Sequence, residues 1–506
     1  MEKVIQIVDI EDMAAFGNIF LPMIKLFSDL YMANLQYQKC DTLLNKAVEI
    51  SRLLVEENPE ANTATLVQSL EDLATYYSQM GRFPECKPLY DEALEMSRQL
   101  VETNAQVFTP LLLNVLINLG DLYGSFYSLN PNEDDLKESE AYLLEALEIA
   151  RLLANTYLER HEENLCRVLN SLGNLYQLSG KIKQDSDYLM RSEKLFLEEI
   201  EIERRLSQSD PEFQEQYYAS SLNSLGNLYY DIAMQSQDKE MFRKSEKQFL
   251  ESLEIGRSIA EDNPDLFEPG LAGSLATLGN LYRDMGEYSQ CEPYYDEAIE
   301  IWHRLAKDNN GFELNLAEAL TGAAQCYGMQ QKYKEAIKLA EEAYTILKPY
   351  KDQGTDIYGL FLNVSSILAT LYTSNNDLTK AENAYNELIP MVKALYLEDM
   401  ETWRDQYAIE LGSASYCYIL NKQFAKAEQY ATDALTIDIS QQWVFTNLAA
   451  AYLLQGKYEE AEEIYRNMKD TLKTELLDDI QVFEKNHIIP KERKEDVKRI
   501  KRLLNE

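Results

Sequence analysis

The chain has 506 residues with 86 acidic and 48 basic side chains, a formal net charge of -38. That balance argues against direct nucleic-acid binding, because phosphate contacts need clustered Lys and Arg, and it favours a basic or neutral protein or peptide partner. The segment MEKVIQIVDIEDM carries acids where a signal peptide has a basic leader, and no uncharged stretch approaches the roughly eighteen apolar residues of a membrane span.

Along the chain, ten tyrosines fall in one helical slot: Tyr31, Tyr77, Tyr123, Tyr176, Tyr229, Tyr282, Tyr327, Tyr372, Tyr418 and Tyr452. Their spacings of 46, 46, 53, 53, 53, 45, 45, 46 and 34 residues are the periods of a helical solenoid, which grows by adding units rather than globular domains. Residues 1–16 are expected to form an N-terminal cap segment, 17–470 a ten-unit array, and 471–506 a helical extension ending in a basic capping helix.

In the fourth unit Leu169, Leu172, Gly173 and Tyr176 fall at i, i+3, i+4 and i+7, one face of a first helix, A. Leu222, Leu225, Gly226 and Tyr229 repeat it, as do Leu275, Leu278, Gly279 and Tyr282. Glycine inside a helix costs about 1 kcal/mol against alanine, so its recurrence predicts close approach by a neighbouring helix. A second helix, B, carries a large apolar residue followed three positions later by a small one, as in Phe83 and Cys86, Leu189 and Ser192, or Tyr333 and Ala336. A small side chain at one fixed position lets two helices cross closely.

Units three, four and five hold seven extra residues between the A tyrosine and the small B residue, in LNPNEDD, GKIKQDSD and MQSQDKE. These are expected as turn insertions along one edge of the stack, arising by duplication of a 53-residue unit rather than as a dedicated docking rim. At the C-terminus, Pro490 starts a helix whose Val497, Ile500 and Leu504 cover the last hairpin, leaving a basic solvated face.

LNSLGNLY and GKYEEAEEIYRNM resemble the two halves of the tetratricopeptide repeat, over roughly residues 17–470. The 45- to 53-residue units are similar to the lengthened repeats of bacterial arrays and kinesin light chains. The resemblance implies an all-α, right-handed superhelical solenoid of about ten antiparallel helix-turn-helix units with the A helices lining a concave groove. Ser28 and Ser415 depart from it by replacing the glycine, and Glu199 by occupying a slot that is small elsewhere.

Chemistry is sparse. His161, His303 and His487 lie on different units, and Leu165 stands where the zinc-protease pattern opened by His161 and Glu162 needs a second histidine. No phosphate loop, nucleophile elbow or dinucleotide fingerprint occurs, so no catalytic, metal or cofactor site is expected. Six cysteines lack a CxxC pair, and Cys40, Cys86 and Cys291 sit in the small B slot as buried packing residues rather than crosslinks, which suggests a cytoplasmic chain.

The slots that face the groove by resemblance hold a polar ladder: Asn118 and Asp121, Asn170 and Asn174, Asn223 and Asn227, then Asn280 and Gln325, flanked by Arg167 and Arg283. An amide pairs with both sides of a peptide bond. It can equally bond its neighbours and hold the stack in register, which is the favoured role for Asn170 and Asn223. The Lys and Arg of the family's carboxylate clamp are missing, so chaperone tails are not the expected ligand. The expected function is a non-catalytic interaction scaffold binding a partner segment in the groove. The alternative is a regulatory sensor that binds a peptide or effector protein and controls a separate enzyme.

Overall fold

The structure is a computed structural model describing residues 16–33, 36–156, 162–352 and 354–505. The N-terminal cap segment before residue 16, and His161, lie outside the described residues. The chain is all-α, with 22 α-helices and no strand among the described residues, and it divides into two compact units, Met1–Phe267 and Glu268–Glu506.

The first unit contains α1 (Gly17–Ala33), α2 (Tyr37–Glu57), α3 (Pro59–Gln79), α4 (Phe83–Thr103), α5 (Ala105–Leu129), α6 (Glu133–Thr156), α7 (Glu162–Lys183), α8 (Ser186–Ser209), α9 (Pro211–Ser236) and α10 (Lys239–Asp262). Helix α11 (Pro264–Asp284) carries the division. The second unit continues with α12 (Tyr288–Asp308), α13 (Glu313–Met329), α14 (Tyr333–Leu347), α15 (Thr355–Ser374), α16 (Leu378–Glu398), α17 (Met400–Leu420), α18 (Phe424–Ile437), α19 (Val444–Gln455), α20 (Tyr458–Met468), α21 (Lys473–Lys485) and α22 (Lys494–Asn505).

Local chemistry sets the helix ends. Asn58 and Asn104 accept from the backbone N–H three residues on and start α3 and α5, while Asp185 and Asp238 cap α8 and α10. Among the described residues eight A-to-B turns hold a residue of positive φ, which is glycine at Gly81, Gly286 and Gly456, where that conformation costs least, whereas the turn between α5 and α6 holds none.

Helices pack on their chain neighbours from α1 to α10 in the first unit and from α12 to α20 in the second, α22 closes on α20 and α21, and successive A helices also touch: α3 with α5, α5 with α7 and α7 with α9 in the first, α13 with α15, α15 with α17 and α17 with α19 in the second. Each unit therefore has an A-helix wall and a B-helix wall. The recurrent glycines sit where the helices meet: a Cβ on Gly173 falls 2.5 Å from the Phe196 ring, and one on Gly226 falls 2.5 Å from Phe249. The small B residues add a bond, Ser139, Ser192 and Ser245 donating to the carbonyls of Gly120, Gly173 and Gly226 at 2.7, 2.8 and 2.9 Å. Where Ser415 replaces the glycine the donor changes sides, and its hydroxyl reaches the Ala427 carbonyl at 2.8 Å.

Three expectations need correction. The extra residues of units three to five are not turn insertions: α5, α7 and α9 run six or seven residues past their tyrosines where α3 runs two, and α6, α8 and α10 start six residues before the small serine where α4 starts three before Cys86. Each helix grows by about one turn of 3.6 residues and the connecting turn stays short. Cys291 is not merely a packing residue, because it forms a disulfide with Cys326 of the next A helix. Its partner belongs to the following repeat, so spacing within one repeat conceals the pair. Cys40, Cys86, Cys166 and Cys417 are buried free thiols. Finally, Ala105–Leu129 and Ile357–Ser374 are long and apolar enough to cross a membrane. Both pack along neighbouring helices of their own unit.

In the second unit α22 buries Val497, Ile500, Leu503 and Leu504 in one cluster with Ala461, Tyr465, Leu476 and Ile480. Its basic face is partly neutralised within the chain: Lys501 pairs with Glu484 at 2.9 Å and the Arg499 guanidinium lies over the Tyr458 ring.

Candidate functional site

In the first unit the polar ladder runs along the A-helix wall and largely bonds to itself. Asn118 on α5 donates to Glu71 on α3 at 3.1 Å, and Arg167 on α7 reaches back to Asn114 on α5 at 3.0 Å. Asn170 donates to both carboxylate oxygens of Glu199, at 3.1 and 3.2 Å, and to Ser224 on α9 at 3.1 Å. Asn174 donates to the Asn170 carbonyl at 2.8 Å and is otherwise exposed. Asp121 lies at the mouth of the cavity described below, and Asn223 is half-buried. Asn227 is exposed and makes no side-chain hydrogen bond among the described residues.

The second unit contains the rest of the ladder. One Arg283 amine donates to the carbonyl oxygens of Asn280 and Gln325 at 2.9 and 3.1 Å, while its Nε meets Asp284 at 2.8 Å. The Tyr295 hydroxyl also donates to Asn280, at 2.6 Å. Asn280, Arg283 and Gln325 thus form one network that ties α11, α12 and α13 together.

The repeated tyrosines are structural here: Tyr123, Tyr176, Tyr229 and Tyr282 are all buried. Tyr176 and Tyr229 donate to Glu140 and Glu193 of the preceding B helix at 2.8 and 2.9 Å. Both acceptors directly follow the small serine, so these bonds repeat with the fold.

What departs from the repeat is unit four. Glu199, in a slot that is Ala146 one unit earlier and Ser252 one unit later, is only 4 % exposed. It borders a cavity of about 350 Å³ between α7, α8 and α9, with α5 at its edge. Ser221 donates to Glu199 at 2.8 Å. Burial outweighs these donors and pushes the Glu199 carboxyl up to about 7. Glu203, one turn along α8, is also 4 % exposed, and its Oε2 has no protein partner. Burial raises its carboxyl too, and it shares the site with the Cys166 thiol, itself pushed up by burial and the surrounding acids. Across the cavity Gln214, 8 % exposed, gives its amine to Glu163 at 2.8 Å and leaves its carbonyl unpartnered.

Of the residues singled out from sequence, Asp121, Arg167 and Asn170 line this cavity, Asn174 adjoins it, and Asn118, Asn223 and Asn227 stand elsewhere on the same wall. Glu163, Cys166, Glu199, Glu203, Gln214 and Ser221 were not legible as a site. The one signal was Glu199 in a small-residue slot, which reads as a packing defect until α9 is placed against it. Glu71 is a second buried carboxylate on the wall, pushed up to about 8 by burial and nearby Asp72, with one oxygen unpartnered. Among the described residues no group of three or more His, Cys, Asp or Glu side chains is arranged to hold a metal.

A family model described as "Tetratricopeptide repeat" matches residues 271–348, and two others with the same description match residues 66–104 and 444–479. Response regulator aspartate phosphatase A of Bacillus subtilis (strain 168) is 27 % identical over 165 residues, which is 32 % of this chain and 39 % of that protein. The chain thus spans about two fifths of that relative's length. Among solved structures, the apo form of RapI matches with TM-score 0.48 and 12 % identity over 87 % of this chain and 98 % of that one. A STAND signal-transduction ATPase with a tetratricopeptide repeat sensor, from Pyrococcus horikoshii, matches with TM-score 0.47 and 15 % identity over 79 % and 53 %. BtubC from P. vanneervenii matches with TM-score 0.39 and 21 % identity over 54 % and 92 %. Likenesses at these scores carry no weight for function. The matched segments fall in both units and on the two recurrent helix patterns, and the chain is a tetratricopeptide-repeat protein.

Proposed function

We propose that this chain is a non-catalytic adaptor that captures an extended, neutral or basic segment of a partner protein on the A-helix wall of its first unit. The observation that carries the reading is the pair of exposed amides there, Asn227 with no side-chain bond among the described residues and Asn174 with its carbonyl uncommitted, on the same wall as a cavity lined by residues with unpartnered acceptors. Asparagine amides bond peptide N–H and C=O groups together, and they need not recognise a particular side chain. Their roughly 1 kcal/mol each is too little for tight capture alone, so side-chain pockets and charge must supply the rest. The formal charge of -38 favours a basic partner and makes association weaken as salt rises.

The test is capture from the native host's lysate with the full chain and with an Asn174→Ala, Asn227→Ala variant of unchanged helical content. A partner lost only from the variant supports the reading. An identical set of partners overturns it.

A second reading is favoured by one observation, the similarity to a protein named for acting on response-regulator aspartates. On it, the chain is a regulatory sensor that controls a separate enzyme on binding a peptide or effector protein. A captured ligand should then change the chain's small-angle scattering dimensions, whereas a passive scaffold keeps them.

A further inference from the structure

We infer that the cavity between α7, α8 and α9 is a socket for one cationic side chain, the guanidinium of an arginine, carried on a peptide lying along the A-helix wall. The inference deepens the adaptor reading, on which it rests for the course of the peptide, and it names the chemistry that the wall selects.

The polarity of the open atoms makes the argument. Glu203 and Gln214 line the cavity from two different helices, and Glu203 Oε2 and Gln214 Oε1 are buried without a protein partner. Both are acceptors. The Gln214 orientation is set by Glu163, which takes its amine at 2.8 Å, so turning the amide over would face oxygen toward carboxylate. A buried acceptor without a donor costs about 1–3 kcal/mol, and two on residues that line one cavity ask for a ligand rich in N–H groups.

The charge of the lining agrees. Asp121, Glu163, Glu199 and Glu203 line it against one cation, Arg167. Arg167 is exposed and bonded to Asn114 on α5. Its charge acts on Asp121 and Glu71, whereas the groups acting on Glu199 and Glu203 include no cation. The carboxylate end of the cavity is therefore uncompensated, and burial holds both carboxyls above their ordinary range. An entering cation converts that penalty into attraction.

Shape and rim narrow the choice to arginine. Glu199 already accepts from Asn170 and Ser221, so the acceptors that remain are dispersed rather than gathered around a point, which suits a planar fork of five N–H donors better than a metal ion or a compact ammonium. At about 350 Å³ the cavity lies at the small end of ligand pockets and suits one side chain rather than a folded ligand. Tyr217, 52 % exposed, stands in the lining, where its ring can cover a guanidinium.

The experiment is a thermal-shift titration of the full chain at pH 8 with the blocked peptide Ac-Ala-Arg-Ala-NH2, against the same peptide with citrulline, which keeps the shape and loses the charge. The arginine peptide at ten times its Kd should raise Tm by about 1 °C. The citrulline peptide should need at least about ten times more for the same shift, since a charged bond is worth roughly twice a neutral one. Glu203→Gln should abolish the difference between the peptides. Ser220→Tyr, which crowds the lining from an exposed position and keeps every acceptor, should abolish both shifts and stands in if Glu203→Gln does not fold. Equal shifts from the two peptides, no shift, or a shift that survives Ser220→Tyr overturns the inference. The Asn174→Ala, Asn227→Ala variant should retain the arginine shift. If it does so while still capturing every partner, the socket stands and the adaptor reading falls.

Discussion

The Ser192 hydroxyl donates to the Gly173 carbonyl at 2.8 Å, and the same bond joins Ser139 to Gly120 and Ser245 to Gly226. One contact thus uses both recurrent small residues: glycine brings the helices together, and serine satisfies the carbonyl they enclose. Substituting Gly173→Ala puts a Cβ 2.5 Å from the Phe196 ring and should destabilise the chain by about 1–3 kcal/mol. Gly256→Ala, on α10 with open space around it, should stabilise by up to about 1 kcal/mol. Urea unfolding of the two variants checks the contrast. Equal effects would mean that Gly173 is not a packing glycine.

Glu71 makes stability pH-dependent. Its carboxyl is held at about 8 in the folded chain, above the ordinary 4.5, so between those values the folded state binds the extra proton. Stability from this group is therefore present at low pH and lost as pH rises through about 8. Glu71→Gln removes the buried charge and should raise Tm at pH 8.5, by a free energy on the order of 3 kcal/mol, with little effect at pH 5. Thermal melts at the two pH values decide it, and a variant destabilised equally at both contradicts the assignment.

Asn170 and Asn227 both belong to the polar ladder but have separate duties. Asn170→Ala leaves the buried Glu199 without the two donations from its amide and should cost about 1–3 kcal/mol. Asn227→Ala should leave stability within about 0.5 kcal/mol, because its exposed amide makes no side-chain bond among the described residues. Denaturant midpoints should separate the two variants clearly.

Tyr229→Phe removes only the hydroxyl that reaches Glu193 at 2.9 Å between successive units, and should cost about 1 kcal/mol. Glu193→Gln keeps an acceptor and should cost less. A double-mutant cycle with near-zero coupling would show that the bond does not hold the units together.

Period and pattern by themselves determined the helical repeats, the A and B faces, the packing role of Gly173 and Gly226, and the covering helix built on Val497, Ile500 and Leu504. These follow from contacts that recur at every unit, so each is written into the chain many times over. Tertiary structure alone decided the rest. Whether the added residues near Tyr123, Tyr176 and Tyr229 loop out or extend the helices depends on whether both arms of a hairpin can lengthen together. The Cys291–Cys326 pair and the Asn280–Arg283–Gln325 network join side chains from different repeats. The cavity is the clearest case: Glu163 and Cys166 come from α7, Glu199 and Glu203 from α8, and Gln214 and Ser221 from α9. No spacing rule links them, because a non-repeating site in a repeat protein exists only where stacking brings three helices to one point and one of them breaks the pattern.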